Sequence, residues 1–386
     1  MEALFNSESE GRMKFRLPIV LGVLAGAAFP APAALGQTLD DALKAAYLNN
    51  PTLLAQRAKV RSVDEQLPQA LSDWRPSLEL EHATSSKFSK NNTSVEDKQR
   101  QHRDPRTTTF TISQSLYAGG QTTAAISEAK NKIQAERANL ASVEQTVLLD
   151  AVSVYINLFR DQAVLELNTG NERVLKRQLE ATRDRFEVGE ITRTDVHQAE
   201  ARLAGATADR IQAEGNLVAS RAAYRNVIGE IPGKLAPPAP PLNPPVSPAD
   251  AVKSAVTGNP DVIEAEFDER ALLDNVEETR GGLLPSIDFT GTASRAFQSS
   301  TVESRVDSYE AKVTLTVPLY QTGSVYSSLR EARQDAAEQS RKVDQARRDA
   351  TEAATRTWEA LQTARARIES FDTQIKSAEV ALEGVE

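Results

Sequence analysis

The stretch DALKAAYLNNPTLLAQRAKV, residues 41–60, returns in altered form as DAVKSAVTGNPDVIEAEFDE, residues 250–269, and this pairing decides how the rest of the chain reads. Pro51 falls on Pro260 at an offset of 209, and the same offset carries Pro76-Ser77-Leu78 onto Pro285-Ser286-Ile287. Further along, FTISQSLYAGGQ from Phe110 matches VTLTVPLYQTGS from Val313, so Tyr117 meets Tyr320 at an offset of 203. The six-residue difference falls between two strand-like segments, where a hairpin loop absorbs a change of length. A repeat this long is a duplicated subdomain rather than a solenoid unit.

Each copy reads as short helix, helix, strand, loop, strand and very long helix. Thr38 caps the first helix with Asp41 at N3, and Ser247, Pro248 and Asp250 repeat the cap, the first helical residue and the N3 acid. The first repeat covers 37–234, with a β-hairpin over 76–117 and a long helical hairpin over 120–231. LAPPAPPLNPPVSP, residues 235–248, is a stiff proline-rich crossing, unfit for a helix or a central strand. The second repeat covers 249–386, with a β-hairpin over 285–320 and a long helix over 323–386.

Strands are expected over 76–86, 106–117, 285–296 and 307–320. In the last, Tyr309, Ala311, Val313, Leu315, Val317 and Leu319 share one face, while Glu310, Lys312, Thr314 and Thr316 share the other. Phe110, Ile112 and Leu116 alternate with Thr109, Thr111, Ser113 and Ser115; Leu78, Leu80, Ile287 and Phe289 mark weaker apolar faces. Ten-residue strands with this alternation suit a tilted crossing of an outer membrane, although any one of them also suits a water-soluble sheet with one buried face. Residues 87–106 carry nine charges and read as a loop that a barrel places outside the cell. Four strands cannot enclose a channel, since single-chain barrels begin at about eight; three copies supply twelve and leave no open edge in lipid.

From Gly120 to Phe186 no proline interrupts the chain, and Ile126, Ile133, Leu140, Val147 and Val154 recur every seven residues. At about 1.5 Å per residue this helix approaches 100 Å. Cytosolic coiled coils share the pattern; direct attachment to a membrane-compatible strand is the unusual part. VGEITRTDV, residues 188–196, is a reversal: Gly189 stops the helix and Thr192 caps its successor with Asp195 at N3. Asp195 is open to two readings, a cap alone or a contact at the hairpin tip. The 203-residue offset puts the second reversal near residue 391, beyond the last residue here, so the sequence reads as C-terminally truncated.

Residues 13–36, MKFRLPIVLGVLAGAAFPAPAALG, read as an export signal with Lys14 and Arg16 ahead of an apolar run and small residues before a cut near Gln37. The acidic residues 1–12 suit such a leader poorly, which favours Met13 as the true start. The signal's apolar run is too short for a spanning helix, a buried N-terminal helix being the alternative to export, and no later apolar run reaches 18 residues. A net charge of −9 without a basic block argues against a nucleic-acid partner. There is no cysteine, and His82, His102 and His197 lie in unrelated elements without ligand spacing. No nucleophile or phosphate-cradling motif is present, so neither an enzyme nor a cofactor is expected.

The NP openings at Asn50-Pro51 and Asn259-Pro260, the strand starts at Pro76-Ser77 and Leu284-Pro285-Ser286, the junctions SLYAGG and PLYQTG, and VGEITRTDV together resemble the TolC-like outer-membrane efflux and secretion channel family over 37–386. The resemblance implies a mixed α/β membrane protein: a homotrimer whose twelve-stranded β-barrel, four strands per chain, sits among outer-membrane lipid and continues as a periplasmic α-helical barrel. It implies a passive exit duct for a tripartite efflux pump or a type I secretion system. The partners would be a periplasmic membrane-fusion adaptor and an inner-membrane efflux pump or ABC-type secretion transporter, which supplies the energy. Gly189, Thr192, Thr194 and Asp195 match the hairpin tip, where polar links hold the entrance closed; Leu116, Tyr117, Gly119, Leu319, Tyr320 and Gly323 match the barrel-to-tunnel junctions. The pore-constricting acids and the gate partners of Asp195 belong to the part of the second repeat absent here. The competing reading is a soluble periplasmic coiled-coil adaptor.

Overall fold

The computed structural model describes residues 37–92, 98–239 and 245–384. The export signal lies outside the described residues. Two helices open each repeat, and one asparagine serves both. Asn50 ends α1 (Leu39–Asn49), and its Oδ1 accepts the Thr52 N–H at 2.9 Å to cap α2 (Pro51–Asp64). Asn259 does the same between α6 (Pro248–Gly258) and α7 (Pro260–Gly281), taking the Asp261 N–H at 2.8 Å. Proline at the first helical position loses no bond there, which explains the NP pair. Thr38 with Asp41, and Ser247 with Asp250, cap α1 and α6 as expected.

The copies differ at one point that the sequence reading treats as equal. Where α7 is continuous, the first copy breaks at Glu65 into α2 and α3 (Gln66–Ser72). Pro68 has no N–H and crowds the carbonyl four residues earlier, whereas the second copy has Glu277 there.

Four strands form one antiparallel sheet in the order β1 (Ser77–Thr84), β4 (Arg106–Ala118), β5 (Ser286–Phe297), β6 (Arg305–Thr316). Ser77 pairs with Ser113 in the first hairpin and Ser286 with Thr316 in the second, so both sequence offsets hold in three dimensions. Two expectations need correction. Residues 87–106 are not a plain loop: β2 (Lys87–Asn92) and β3 (Lys98–Arg103) pair as a second, two-stranded sheet. The last strand does not reach residue 320; it ends two residues before Pro318, which cannot donate to a ladder.

Register assigns the faces. Leu78, Ile112, Gly291 and Ala311 form one row, and Leu80, Phe110, Ala293 and Tyr309 the next on the same side. Glu79, Thr111, Thr292 and Glu310 form a row on the opposite side. Among the described residues nothing covers the apolar side: Leu80 is 71% exposed, Tyr309 80% and Val313 63%. A water-soluble sheet would bury that face against a second layer.

From the sheet run α4 (Gln121–Glu187), 67 residues that pass through Gly170 unbroken, and α8 (Ser324–Glu383), 60 residues. α4 turns back into α5 (Arg193–Ile228). The main core gathers midway, where Ala42, Ala45 and Ala46 of α1 meet Ala151, Tyr155 and Leu158 of α4 and Leu217, Tyr224 and Ile228 of α5. There the Tyr155 hydroxyl lies 2.8 Å from the Gln37 carbonyl and 2.7 Å from that of Ala236, tying the first described residue to the crossing. Among the described residues no helix is apolar enough to span a membrane.

Candidate functional site: the hairpin tip and the strand-to-helix junctions

The tip is built from the backbone outward. Gly189 takes a left-handed φ of +82°, and an added Cβ would meet nothing within 4 Å, so the turn rather than packing requires glycine. Its N–H donates to the Phe186 carbonyl and that of Glu190 to the Arg185 carbonyl, both at 3.0 Å, a Schellman ending that satisfies the last carbonyls of α4. Arg185 and Glu190 pair across the turn at 3.1 Å. Two residues on, the Thr192 N–H and hydroxyl each donate to one carboxylate oxygen of Asp195 at 2.8 Å. These two bonds hold the Asp195 carboxyl below its ordinary value, so it is anionic at neutral pH. Thr194 and Asp195 are both exposed, and Asp195 lines a groove of about 200 Å³ between the helices together with Thr182, Arg185, Gln198 and Arg202.

The two strand-to-helix junctions use the same backbone path with different residues. Gly119 and Gly120 have φ of +60° and +85°; Thr322 and Gly323, their counterparts at the 203-residue offset, have +51° and +82°. In the first junction a Cβ on Gly119 would meet the Gly281 carbonyl oxygen at 2.4 Å, so strand end and α7 end touch backbone to backbone. In the second, Thr322 is exposed and takes the strained conformation that β-branched residues avoid. Leu116 and Tyr117 are 46% and 45% exposed, but Leu319 and Tyr320 are 93% and 83% exposed, because the second junction has no following strand beside it. Tip and junctions stand at opposite ends of α4 and form no common site. Sequence reading missed Gly281 and Thr322; the offset pairing of Gly119 with Thr322 was the available signal.

Comparison with known proteins decides the family. The model of the family described as Outer membrane efflux protein matches residues 42–230 and 251–386. The chain belongs to the outer membrane efflux protein family. It is 31% identical over 364 residues to the outer membrane efflux protein BepC of Brucella suis, covering 94% of this chain and 78% of the relative. It is 26% identical to the outer membrane protein TolC of Vibrio cholerae, covering 83% of this chain and 73% of that one. The crystal structure of the outer membrane protein VceC of Vibrio cholerae superposes with a TM-score of 0.75 at 18% identity, covering 89% of this chain and 84% of that one. The protein is thus an outer-membrane efflux channel subunit of this family, with its sheet in the membrane and its long helices in the periplasm. Members of the family form trimeric channels that work with efflux-pump partners. The soluble adaptor alternative gains no support from these relatives.

Proposed function

We propose that three copies close a passive duct, each adding β6 to β1 of the next. The observation that carries this is the open four-stranded sheet with one uncovered apolar face and one polar face, since such a sheet leaves two unpaired edges and a lipid-facing side. The internal repeat supplies the seam. β6 is the counterpart of β4 and β1 that of β5, so the pairing of Thr111 with Thr292 inside the chain becomes Thr314 with Ala83 between copies. Leu315 then meets His82 and Val313 meets Thr84, which keeps both apolar faces on one side; a slip of one residue would not.

The duct would carry substrates through water without chemistry, taking its energy from an inner-membrane pump through a periplasmic adaptor that meets the helical end. The exposed polar tip, with the Asp195 carboxylate anionic, supports a role in closing the periplasmic entrance. Single-channel conductance in planar bilayers tests this. Asp195→Ala is expected to raise conductance, whereas Thr192→Ala, which weakens the cap and leaves the carboxylate, is expected to raise it less. Equal effects would reduce Asp195 to a cap, and a wild-type protein that forms no pore would overturn the duct itself.

A further inference from the structure

At the end away from the long helices, the apolar face of the sheet gives way to two register rows rich in arginine. The first holds His82, Thr108, Arg295 and Asp307, and the second Thr84, Arg106, Phe297 and Arg305. Both continue the side that carries Leu80, Phe110 and Tyr309, because they lie two and four residues further along each strand. The arginines are organised. Arg295 Nε donates to one oxygen of Asp307 at 2.7 Å and an Arg305 amino group to the other at 3.1 Å, so one carboxylate orients two guanidiniums. Arg305 also lies over the Phe297 ring, 5.7 Å from its centre. Arg106 flanks Phe297 on the other side and has no ion pair among the described residues, although Asp104 and Glu303 line the adjoining cleft. All three side chains remain exposed.

Their height on the sheet matters. Arg295 stands eight residues along β5 from Ile287, about 27 Å along the strand and roughly 20 Å along the membrane normal at a typical tilt. Arg106 and Arg305 stand one row higher, at about 25 Å, where an outer-membrane apolar band of about 25 Å ends. A lipid-facing arginine is costly at the midplane and nearly neutral at this boundary. Guanidinium forks match phosphate oxygens two at a time, and Phe297 between them offers an acyl chain an apolar seat.

We propose that Arg106, Arg295 and Arg305 form a lipid-facing site for the phosphate groups of an anionic outer-leaflet glycolipid. The proposal rests on the sheet being part of a membrane wall. Native mass spectrometry of the detergent-solubilised protein tests it, using bis-phosphorylated lipid A, its dephosphorylated form and inorganic phosphate as probes. Wild type should prefer the phosphorylated lipid by roughly tenfold or more. Combined R106Q, R295Q and R305Q should abolish the preference, R106Q alone should reduce it, and Lys312→Gln on the polar face should leave it unchanged. Phosphate-blind lipid binding, or an undiminished preference in both arginine variants, overturns the site. Displacement by millimolar inorganic phosphate overturns its assignment to lipid. Cell fractionation separates the two levels: absence from the outer membrane sinks the channel reading and the site with it, while correct location with phosphate-blind binding sinks the site alone.

Discussion

The seam between copies can be tested with cysteine pairs, because the chain has no cysteine of its own. Thr314→Cys with Ala83→Cys places one thiol on β6 and one on β1, the two edges of the sheet. Within one chain these edges are separated by three inter-strand spacings, about 14 Å, and a disulfide spans α-carbons at most about 7 Å apart. Any bond therefore joins different copies. Directly opposed residues of an antiparallel pair have α-carbons about 4.5–5.5 Å apart, inside the disulfide range, whereas a shift of two residues adds about 7 Å along the strand. Thr314→Cys with Glu81→Cys or with Ser85→Cys is thus the matched control, on the same face but off register. After mild oxidation in membranes, non-reducing gels should show covalent dimers and trimers for the 314–83 pair and little for the controls. Stronger cross-linking in either control would refute the register derived from the repeat. Absence of cross-links in all three pairs, in a preparation of intact oligomers, would refute the pairing of β6 with β1.

The junction glycine and its counterpart should respond in opposite senses. Gly119→Ala drives a methyl group into the Gly281 carbonyl at a left-handed φ and should cost about 3 kcal/mol or more, while Thr322→Gly relieves strain and should stabilise by about 1 kcal/mol, both read by thermal denaturation in detergent. Between α4 and α7, burial, helped by a hydrogen bond and charge repulsion from Glu128, pushes the Glu278 carboxyl up to about 7. The folded state then binds the extra proton, so stability should fall as pH rises from the ordinary carboxylate range through 7, and Glu278→Gln should remove that slope and be the more stable form at pH 8, by about 1 kcal/mol after solvent screening. Tyr155→Phe removes the hydroxyl that ties Gln37 to Ala236 and should cost about 1–2 kcal/mol, with faster amide exchange at the Ala236 N–H.

Much of this architecture is legible because the chain states it twice. Strand faces, caps and the turn at Gly189 depend on neighbours within a few residues, and period-two and period-seven patterns report them directly. The hairpin of β2 and β3 escaped notice because its strands carry no apolar alternation: Lys87 stands opposite Arg103 and Lys90 opposite Arg100, pairings that local pattern reading disfavours. The break at Glu65 was written in Pro68 but hidden by the repeat, which suggested a copy of the continuous α7. Long-range polar contacts were invisible for another reason. Asn131 reaches Asp274 at 2.7 Å and Asn139 reaches Glu264 at 2.8 Å, joining α4 to α7 through groups that look like solvated helix surface until the partner helix is placed.

The duplication also explains where the repeats were free to diverge. At the internal seam, Gly119 is fixed by the α7 end of its own chain, at Gly281 and Leu284. Carried across by the offsets, the same seam in the proposed trimer would set Thr322 against Ser72 and Arg75 of the next chain. There the preceding helix has already been broken at Glu65, so α3 approaches as a separate short segment. Within the chain Thr322 is exposed, whereas Gly119 lies against the Gly281 backbone. In the proposed trimer, one covered junction and one bare one would make each copy complementary to its neighbour. Leu319 and Tyr320, uncovered at the end of β6, are the residues that such a neighbour would bury, so exposed apolar side chains and an open sheet edge point to the same missing surface.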